Sequence, residues 1–198
     1  HIITIEDPIE FLHANKKSIV NQREIGTDTR SYARALKSAM REAPDVVLIG
    51  EIRDRETMQA AIDLAGTGHL AIATLHSNNA PEALDRIINL FPEDQHAQVF
   101  MDLSQYLRAI ISQRLVRGIK GERVAAVEIM LNTPRIAELI QVGDIAKVKE
   151  AFQGSTEQGM QTFDDALLRL YKDGKVPMEE ALASADSRTN LEAKIHFG

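Results

Sequence analysis

Three short apolar runs constrain the fold of this chain more than any other feature of its sequence. They occupy residues 2–5, 46–49 and 70–75, and stretches with helical spacing of apolar residues lie between them. A continuous apolar run of roughly four to eight residues is typical of a strand that is buried on both faces. Strands that alternate with helices favour a parallel sheet with helices on both faces. We therefore predict an α/β fold in which these runs are buried strands.

The periodicity of the first half also predicts its helices and one weaker strand. Helical spacing begins near Asp28 and is ended by Pro44, and Asp54 is the expected N-cap of the next helix. Pro81 suits the first position of a third helix, because the missing N–H of proline costs nothing there. The predicted elements are a weak strand over 18–22, helices over 28–43, 54–65 and 81–89, and a further helix that opens at residues 91–94.

The second half has a different pattern. Two apolar runs around Gly118 and Gly121 predict a hairpin, and short amphipathic helices follow Pro134. We therefore predict a division at residue 90, with an α/β core over 1–90 and a mainly helical region over 91–198 that contains a β-hairpin near 114–131. The predicted strands of the hairpin are 115–119 and 124–131, and the predicted helices are 134–142, 145–152, 163–172, 178–184 and 188–195.

Charge and composition exclude several classes of function. The chain has 23 Lys and Arg against 29 Asp and Glu, a formal charge of −6, which argues against nucleic acid as a partner. It has no cysteine, so disulfides, thiolate metal sites and cysteine nucleophiles are excluded. No apolar run approaches the roughly 18 residues that a membrane span needs, and no signal peptide is evident. These features predict a soluble, cytoplasmic protein.

Polar residues follow each predicted buried strand. Glu6 and Asp7 follow the first strand, Glu51 follows the second, and His76 follows the third. Because the carboxyl ends of parallel strands meet at one edge of a sheet, we expect these side chains to converge. Three carboxylates and a histidine suit a Mg²⁺-nucleotide site, in which acids hold metal-bound waters and orient the attacking water.

Simpler roles remain open for each of these residues. An acid after a strand is commonly a helix N-cap, which applies to Glu6 and Asp7. His69 and His76 suit ordinary core or loop positions. Several arginines suit solvated helix surfaces, where an exposed ion pair contributes less than about 1 kcal/mol; they are Arg23, Arg30, Arg34, Arg41, Arg53 and Arg55.

The second strand resembles a Walker B strand, because four apolar residues precede Gly50 and Glu51. Gly50 stands where many nucleotidases carry an Asp for Mg²⁺, so the metal would fall to other acids such as Glu6 or Asp7. A phosphate-binding P-loop requires the pattern Gly-x-x-x-x-Gly-Lys-Ser/Thr. The only Gly-Lys pair, Gly174-Lys175, lacks that context. We therefore expect this chain to be the C-terminal part of a nucleotidase whose Walker A loop lies upstream. By itself the chain is expected to be inactive.

Residues 4–11, 46–54 and 67–78 together resemble the Asp box, Walker B and His box of the secretion and type IV pilus ATPases, in the same order. Residues 21–24 and 111–115 extend the resemblance over most of the chain. The resemblance implies a RecA-like P-loop NTPase core whose parallel sheet has helices on both faces. It also implies ATP and Mg²⁺ as ligands, and a hexameric ring at the cytoplasmic face of the inner membrane.

The same resemblance implies roles for individual residues. Glu51 would be the catalytic glutamate, and Glu6, with Asp7, would organise the metal and its water. His69 and His76 would read the phosphate state across the subunit boundary. One of three arginines would be supplied at that boundary, with the choice left open; they are Arg23, Arg41 and Arg53.

Two further features narrow the branch of the family. Assembly and secretion members usually insert a tetracysteine zinc module after the segment that matches residues 113–117, whereas this chain continues directly through residues 118–121, as retraction ATPases do. Residues 155–164 and 185–187 resemble the accessory, PilU-type retraction ATPases. Gly66 departs from the Glu that is usual before the His box, and residues 134–140 depart from the pattern of the principal retraction motor.

The resemblance therefore implies an ATP-hydrolysing motor of pilus retraction and twitching motility, without zinc. Its partners would be further copies in a homo-hexamer or a mixed ring with the principal retraction ATPase, and the platform protein of the pilus in the inner membrane. Two alternatives stay open: a pilus assembly or type II secretion ATPase, and a non-hydrolysing subunit that docks into another ATPase ring.

Overall fold

The computed structural model describes residues 1–155 and 158–197, so Thr156 and Glu157 of the PilU-like tail segment lie outside the described residues. Two compact units share the chain. The first contains His1–His76 and Arg86–Leu107, and the second contains Ser77–Asp85 and the residues from Arg108 onward. The predicted boundary at residue 90, between an α/β core and a mainly helical region, stays a prediction.

The first unit is built on a four-stranded parallel sheet in the order β2-β1-β3-β4. The predicted parallel sheet with helices is therefore confirmed, and the weak strand is real. The strands are β1 (Ile2–Glu6), β2 (Val20–Glu24), β3 (Val46–Ile49) and β4 (Leu70–Ala73). The helices are α1 (Tyr32–Ala39), α2 (Arg55–Gly66), α3 (Ala80–Asn89), of which the first residues belong to the second unit, and α4 (His96–Tyr106), which a 3₁₀ turn over Glu93–Gln95 precedes.

Local signals explain where these helices begin. The Asp54 carboxylate accepts the N–H of Thr57 at 2.8 Å, so the predicted N-cap is confirmed. Ser31 caps α1 in the same way through the N–H of Arg34. Helix α3 begins at Ala80, one residue before the predicted start, which leaves Pro81 within the first turn, where it is still tolerated.

The burial of the sheet follows the strand register. Ile3 and Ile5 of β1 and Val47 and Ile49 of β3 share one face by register and are completely buried. β4 differs from its prediction as a third buried strand: Leu70 is 48% and Ile72 is 44% exposed. Its position explains the difference, because β4 is the last strand in the order of the described sheet and pairs there only with β3.

The second unit contains the predicted hairpin and the predicted C-terminal helices. β5 (Ala109–Arg117) and β6 (Arg123–Leu131) pair antiparallel, with β5 beginning six residues before its predicted start. Val116 and Ala126 pack with apolar residues of the helices in a buried cluster that includes Phe163 and Leu167. The helices are α5 (Pro134–Gln141), α6 (Ile145–Gln153), α7 (Phe163–Lys172), α8 (Met178–Ser184) and α9 (Arg188–Phe197).

Candidate active site

The carboxyl ends of β1 and β3 meet where the sequence predicted a site. Ile5 is the register partner of Ile49, and the Gly50 N–H donates to the Ile5 carbonyl at 2.7 Å. Glu6, which is the last residue of β1 rather than the residue after it, and Glu51, the second residue beyond β3, are therefore brought to one edge of the sheet. This arrangement supports the predicted convergence of these two acids.

Gly50 occupies a position that has no room for a side chain. A Cβ added there would lie 3.1 Å from the Ile5 carbonyl oxygen, 3.1 Å from the Tyr32 hydroxyl and 3.2 Å from the Glu6 Cα. Two of these neighbours are backbone atoms, which cannot move away as a flexible side chain can. The close approach of β1 thus accounts for glycine at the position where many Walker B strands carry an aspartate.

Glu51 is held by two side chains of the same unit, Arg53 and His76. Its Oε2 accepts from Arg53 Nε at 2.8 Å and from Arg53 Nη2 at 2.6 Å, and its Oε1 lies 3.0 Å from His76 Nε2. The hydrogen bond from Arg53 lowers the pKa of Glu51, with burial opposing and the charges of Arg53, His76 and Arg86 assisting. The group is therefore ionised at neutral pH, as a water-orienting carboxylate has to be.

Thr74 joins the segment after β4 to the segment that carries Glu51. Its carbonyl accepts the Ile52 N–H at 2.9 Å, and its hydroxyl donates to the Gly50 carbonyl. The sequence analysis placed residue 74 inside a strand and missed this contact. A hydroxyl within an otherwise apolar run was the available signal.

Glu6 is oriented by two neighbouring donors rather than serving as a helix cap. Thr4 Oγ1 donates to Glu6 Oε1 at 2.5 Å, and Gln22 Nε2 donates to the same oxygen at 3.0 Å. No helix lies between β1 and β2, so the capping alternative is wrong for Glu6 and Asp7. Asp7 is exposed next to Glu6.

The donor set at this edge suits Mg²⁺ held with the help of water and phosphate. Within residues 1–155 and 158–197, no group of three or more His, Asp or Glu side chains is arranged to hold a metal ion by itself. Mg²⁺ rarely requires such a group, since it usually keeps several waters and takes one or two carboxylates plus substrate phosphates. Glu6 fits that requirement, because both of its bonds use Oε1 and neither uses Oε2.

Tyr32 is a second neighbour that the sequence analysis missed. Burial raises the pKa of its hydroxyl, with Asp7 assisting, and a hydrogen bond from the Glu51 backbone opposes this shift. Tyr32 opens helix α1, so its hydroxyl reaches the site from a helix rather than from a strand end. Nothing in the local pattern distinguishes it from a core aromatic residue.

The two histidines lie at opposite ends of β4. His76 lies three residues beyond its carboxyl end, beside Glu51, whereas His69 directly precedes β4 at its amino end. His69 Nδ1 lies 3.1 Å from Thr67 Oγ1 and 3.3 Å from the Leu64 carbonyl oxygen. The structure therefore brings His76 to Glu51 and leaves His69 with the C-terminal end of α2.

The three candidate arginines occupy separate places. Arg53 binds Glu51 on its own chain, and Arg41 is exposed after α1. Arg23 pairs with Glu42 at 2.5 Å beside a cavity of about 480 Å³, which Arg30 and Arg34 also line. The first unit thus presents several cations around one opening that sequence spacing did not reveal.

A second ionic cluster lies inside the second unit. Arg114 Nη2 is 2.7 Å from Asp186 Oδ1, and the guanidinium donates to the carbonyls of Ser184 and Asn78 and lies over the Phe163 ring at 3.9 Å. Glu128 of β6 is only 2% exposed, and its Oε1 accepts the Ala80 N–H at 2.7 Å. Burial raises the pKa of Glu128.

Among residues 1–155 and 158–197, no helix combines the length and apolar character that a bilayer span requires.

Comparison with known proteins gave one family and several close relatives. The family described as type II/IV secretion system protein matches residues 1–127. The chain is 54% identical over 199 residues to the type IV pilus ATPase PilU of Pseudomonas aeruginosa, covering 100% of this chain and 52% of that protein. It is 46% identical over 191 residues to the type IV pilus retraction ATPase PilT of the same organism, covering 96% and 56%.

A solved structure agrees with these sequence relatives. The crystal structure of the pilus retraction motor PilT with bound ADP is similar at a TM-score of 0.89 and 46% identity, covering 97% of this chain and 54% of that chain. The chain thus spans about half the length of the relatives that it matches.

Proposed function

We propose, since this chain belongs to the family of type II/IV secretion system proteins, that it supplies the catalytic residues of an ATP-hydrolysing motor that retracts type IV pili. The predicted family, together with the α/β class of its fold, is confirmed. The single observation that carries the proposal is the placement of Glu51 directly after β3, ionised and oriented by Arg53 and His76. The 54% identity to PilU supports the accessory type within the retraction motors.

Glu51 acts in this proposal as the group that orients the attacking water and accepts its proton. Oε2 accepts twice from Arg53, whereas Oε1 has one contact, with His76, and keeps a lone pair with which it can accept from water. The His76 contact is the weaker of the two, since the bond is 3.0 Å long and the histidine side chain is 79% exposed. Movement of His76 toward a phosphate would free Glu51 Oε1 and would couple phosphate reading to water activation.

Glu6 and Asp7 would hold Mg²⁺ through water at the same edge. When bound, the ion would neutralise phosphate charge and polarise the phosphoryl oxygens. Thr4 and Gln22 support this role because they fix the Glu6 carboxylate through one oxygen. His69 would read the phosphate state from the other end of β4, across a subunit boundary.

Assembly into a ring would supply the remaining charge. Arg41, which is exposed, or Arg23, once released from Glu42, would reach a neighbouring subunit's phosphates, whereas Arg53 is bound to Glu51 on its own chain. We propose a homo-hexamer or a mixed ring with the principal retraction ATPase, which would work on the platform protein of the pilus at the cytoplasmic face of the inner membrane. The tight turn between β5 and β6 favours retraction over the zinc-bearing assembly branch, since the Gly118 N–H already donates to the Glu122 carbonyl at 2.8 Å.

The phosphate cradle would come from a longer protein that contains this chain. Gly174 and Lys175 lie in the turn after α7 and are followed by Val176, so they offer no glycine-rich loop before a helix. We expect these 198 residues to show no saturable ATP binding in calorimetry. Micromolar affinity of the 198-residue chain would contradict the proposed location of the cradle.

A complementation experiment tests the function as a whole. The longer protein would be produced in a strain that lacks its own accessory retraction ATPase, either unchanged or as Glu51→Gln, and pilus retraction under load would be measured. The unchanged protein should restore retraction and Glu51→Gln should not. Full restoration by Glu51→Gln would instead support the second candidate, a docking subunit that does not hydrolyse ATP.

A further inference from the structure

We infer that Thr74 is a positioning residue for Glu51, an inference that rests on the proposed function. The Thr74 hydroxyl fixes the peptide group that carries Glu51 by donating to the Gly50 carbonyl. Thr74 does not touch substrate in this role. It acts through the backbone on which the catalytic glutamate stands.

The contacts of Thr74 lie on both sides of Glu51. The Thr74 N–H donates to the Ile49 carbonyl at 3.3 Å, and the Thr74 carbonyl accepts the Ile52 N–H at 2.9 Å. The hydroxyl adds the Gly50 carbonyl, which is the acceptor closest to Glu51 in the chain. One residue therefore holds the backbone immediately before and immediately after the catalytic side chain.

Glycine at position 50 makes this restraint necessary. Glycine has more backbone freedom than any other residue, so the orientation of its peptide groups has to be fixed from outside. The Ile5 carbonyl fixes the N–H of Gly50 at 2.7 Å, and Thr74 fixes its carbonyl. The space around Gly50 excludes a side chain that could limit this freedom, since a Cβ would approach backbone atoms to 3.1 and 3.2 Å.

Thr74 also links Glu51 to His76. His76 is the second residue after Thr74, and its Nε2 lies 3.0 Å from Glu51 Oε1. A shift of the Thr74 backbone would therefore move both the support of Glu51 and the group that occupies one of its oxygens. If the Thr74 hydroxyl had only a structural role at the end of the sheet, it would contribute on the order of 1 kcal/mol to stability. Its removal would then leave the geometry of Glu51 unchanged.

The test compares Thr74→Val with Thr74→Ser in the longer protein. Valine keeps the shape but removes the hydroxyl, and serine keeps the hydroxyl. We expect Thr74→Val to lower kcat by about 10-fold or more, because small displacements of a catalytic group are costly, and to change KM for ATP by less than about twofold. Thr74→Ser should stay within about twofold of the unchanged protein. Ser104→Ala, which removes a hydroxyl-to-carbonyl bond on α4, is the matched control for lost hydrogen bonding and should leave kcat unaltered.

Amide hydrogen exchange provides a readout that does not depend on turnover. The amides of residues 50–52 should exchange faster in Thr74→Val than in Thr74→Ser, while those of β1 should not change. A Thr74→Val protein with kcat within about threefold of normal, or a Thr74→Ser protein as slow as Thr74→Val, would overturn the inference. The Glu51→Gln variant distinguishes a failure of the proposed function from a failure of the role of Thr74. Normal turnover in Glu51→Gln refutes the proposed function. Lost turnover in Glu51→Gln together with normal turnover in Thr74→Val refutes only the role of Thr74.

Discussion

The two compact units contain similar arginine–carboxylate pairs in very different surroundings. The Arg53–Glu51 pair is 2.6 Å long with Arg53 67% and Glu51 19% exposed, and the Arg114–Asp186 pair is 2.7 Å long with both side chains 25% exposed. Arg114 also binds two backbone carbonyls and an aromatic ring. The distance is almost the same in both pairs, so the exposure of the arginine and its additional partners decide how much each pair contributes to stability.

The strongest test of this difference is Glu51→Gln in the longer protein. The amide keeps the size of the side chain but removes the charge that orients water, so turnover should fall by a factor of about 10² to 10⁴. That corresponds to roughly 3 to 5 kcal/mol in the activation barrier. Nucleotide binding and melting temperature should change little. Glu56→Gln, an exposed glutamate of α2, is the matched control, and turnover of Glu51→Gln within threefold of normal would refute the assignment.

Removal of the arginine should lower stability much more in the second unit than in the first. Arg114→Leu leaves Asp186 and the carbonyls of Ser184 and Asn78 without this donor, so the free energy of unfolding should fall by about 2 to 4 kcal/mol. Arg53→Leu should lower it by less than about 1 kcal/mol, because the Arg53 guanidinium is solvent-exposed. Urea unfolding followed by circular dichroism measures both. Equal losses would show that burial does not separate the two pairs.

His76→Ala should lower ATPase activity more than it lowers stability. The imidazole is exposed and contributes little to the core, but it contacts one oxygen of Glu51, the proposed catalytic carboxylate. We expect turnover to fall by about tenfold, or roughly 1.4 kcal/mol in the barrier, with a small change in melting temperature. Both measurements belong on one preparation. A variant that melts many degrees lower but hydrolyses normally at low temperature would make His76 a structural residue.

Glu128→Gln gives the smallest effect and reports on pH. Burial raises the pKa of Glu128 in the folded state above its ordinary value of 4.5. Above that value the folded protein retains a proton that the unfolded chain releases, so the unchanged protein loses stability as pH rises through the folded pKa. Glutamine can still accept from Ala80 and does not titrate. The free energy of unfolding of Glu128→Gln should therefore equal that of the unchanged protein below pH 4.5 and exceed it above pH 4.5, by about 1 kcal/mol at most. Unfolding measured across pH tests this.

The sequence predicted the order of elements well, because strand ends and helix caps are local signals. Asp54 and the apolar run of β3 are examples, and both lie where the pattern placed them. The exposure of β4 could not be read from its apolar residues, since the position of a strand within a sheet depends on distant pairing.

The candidate site was predicted in part for the same reason. Glu6 ends a strand and Glu51 and His76 lie shortly after strands, so sheet topology alone brings them to one edge. Tyr32 and Gln22 reach that edge from a helix and from a neighbouring strand, and only the folded arrangement reveals them. His69 and His76 look equivalent in the sequence, yet the length of β4 separates them.

The exposed outer strand of the sheet has a practical consequence for the 198-residue chain in solution. Leu70 and Ile72 lie on β4, whose free side presents backbone donors and acceptors within the described sheet. Such an edge is a template for strand addition by any extended chain that it meets, including another molecule of the same protein. The separate chain should therefore self-associate at high concentration through β4, and a lysine at position 72 should keep it dispersed.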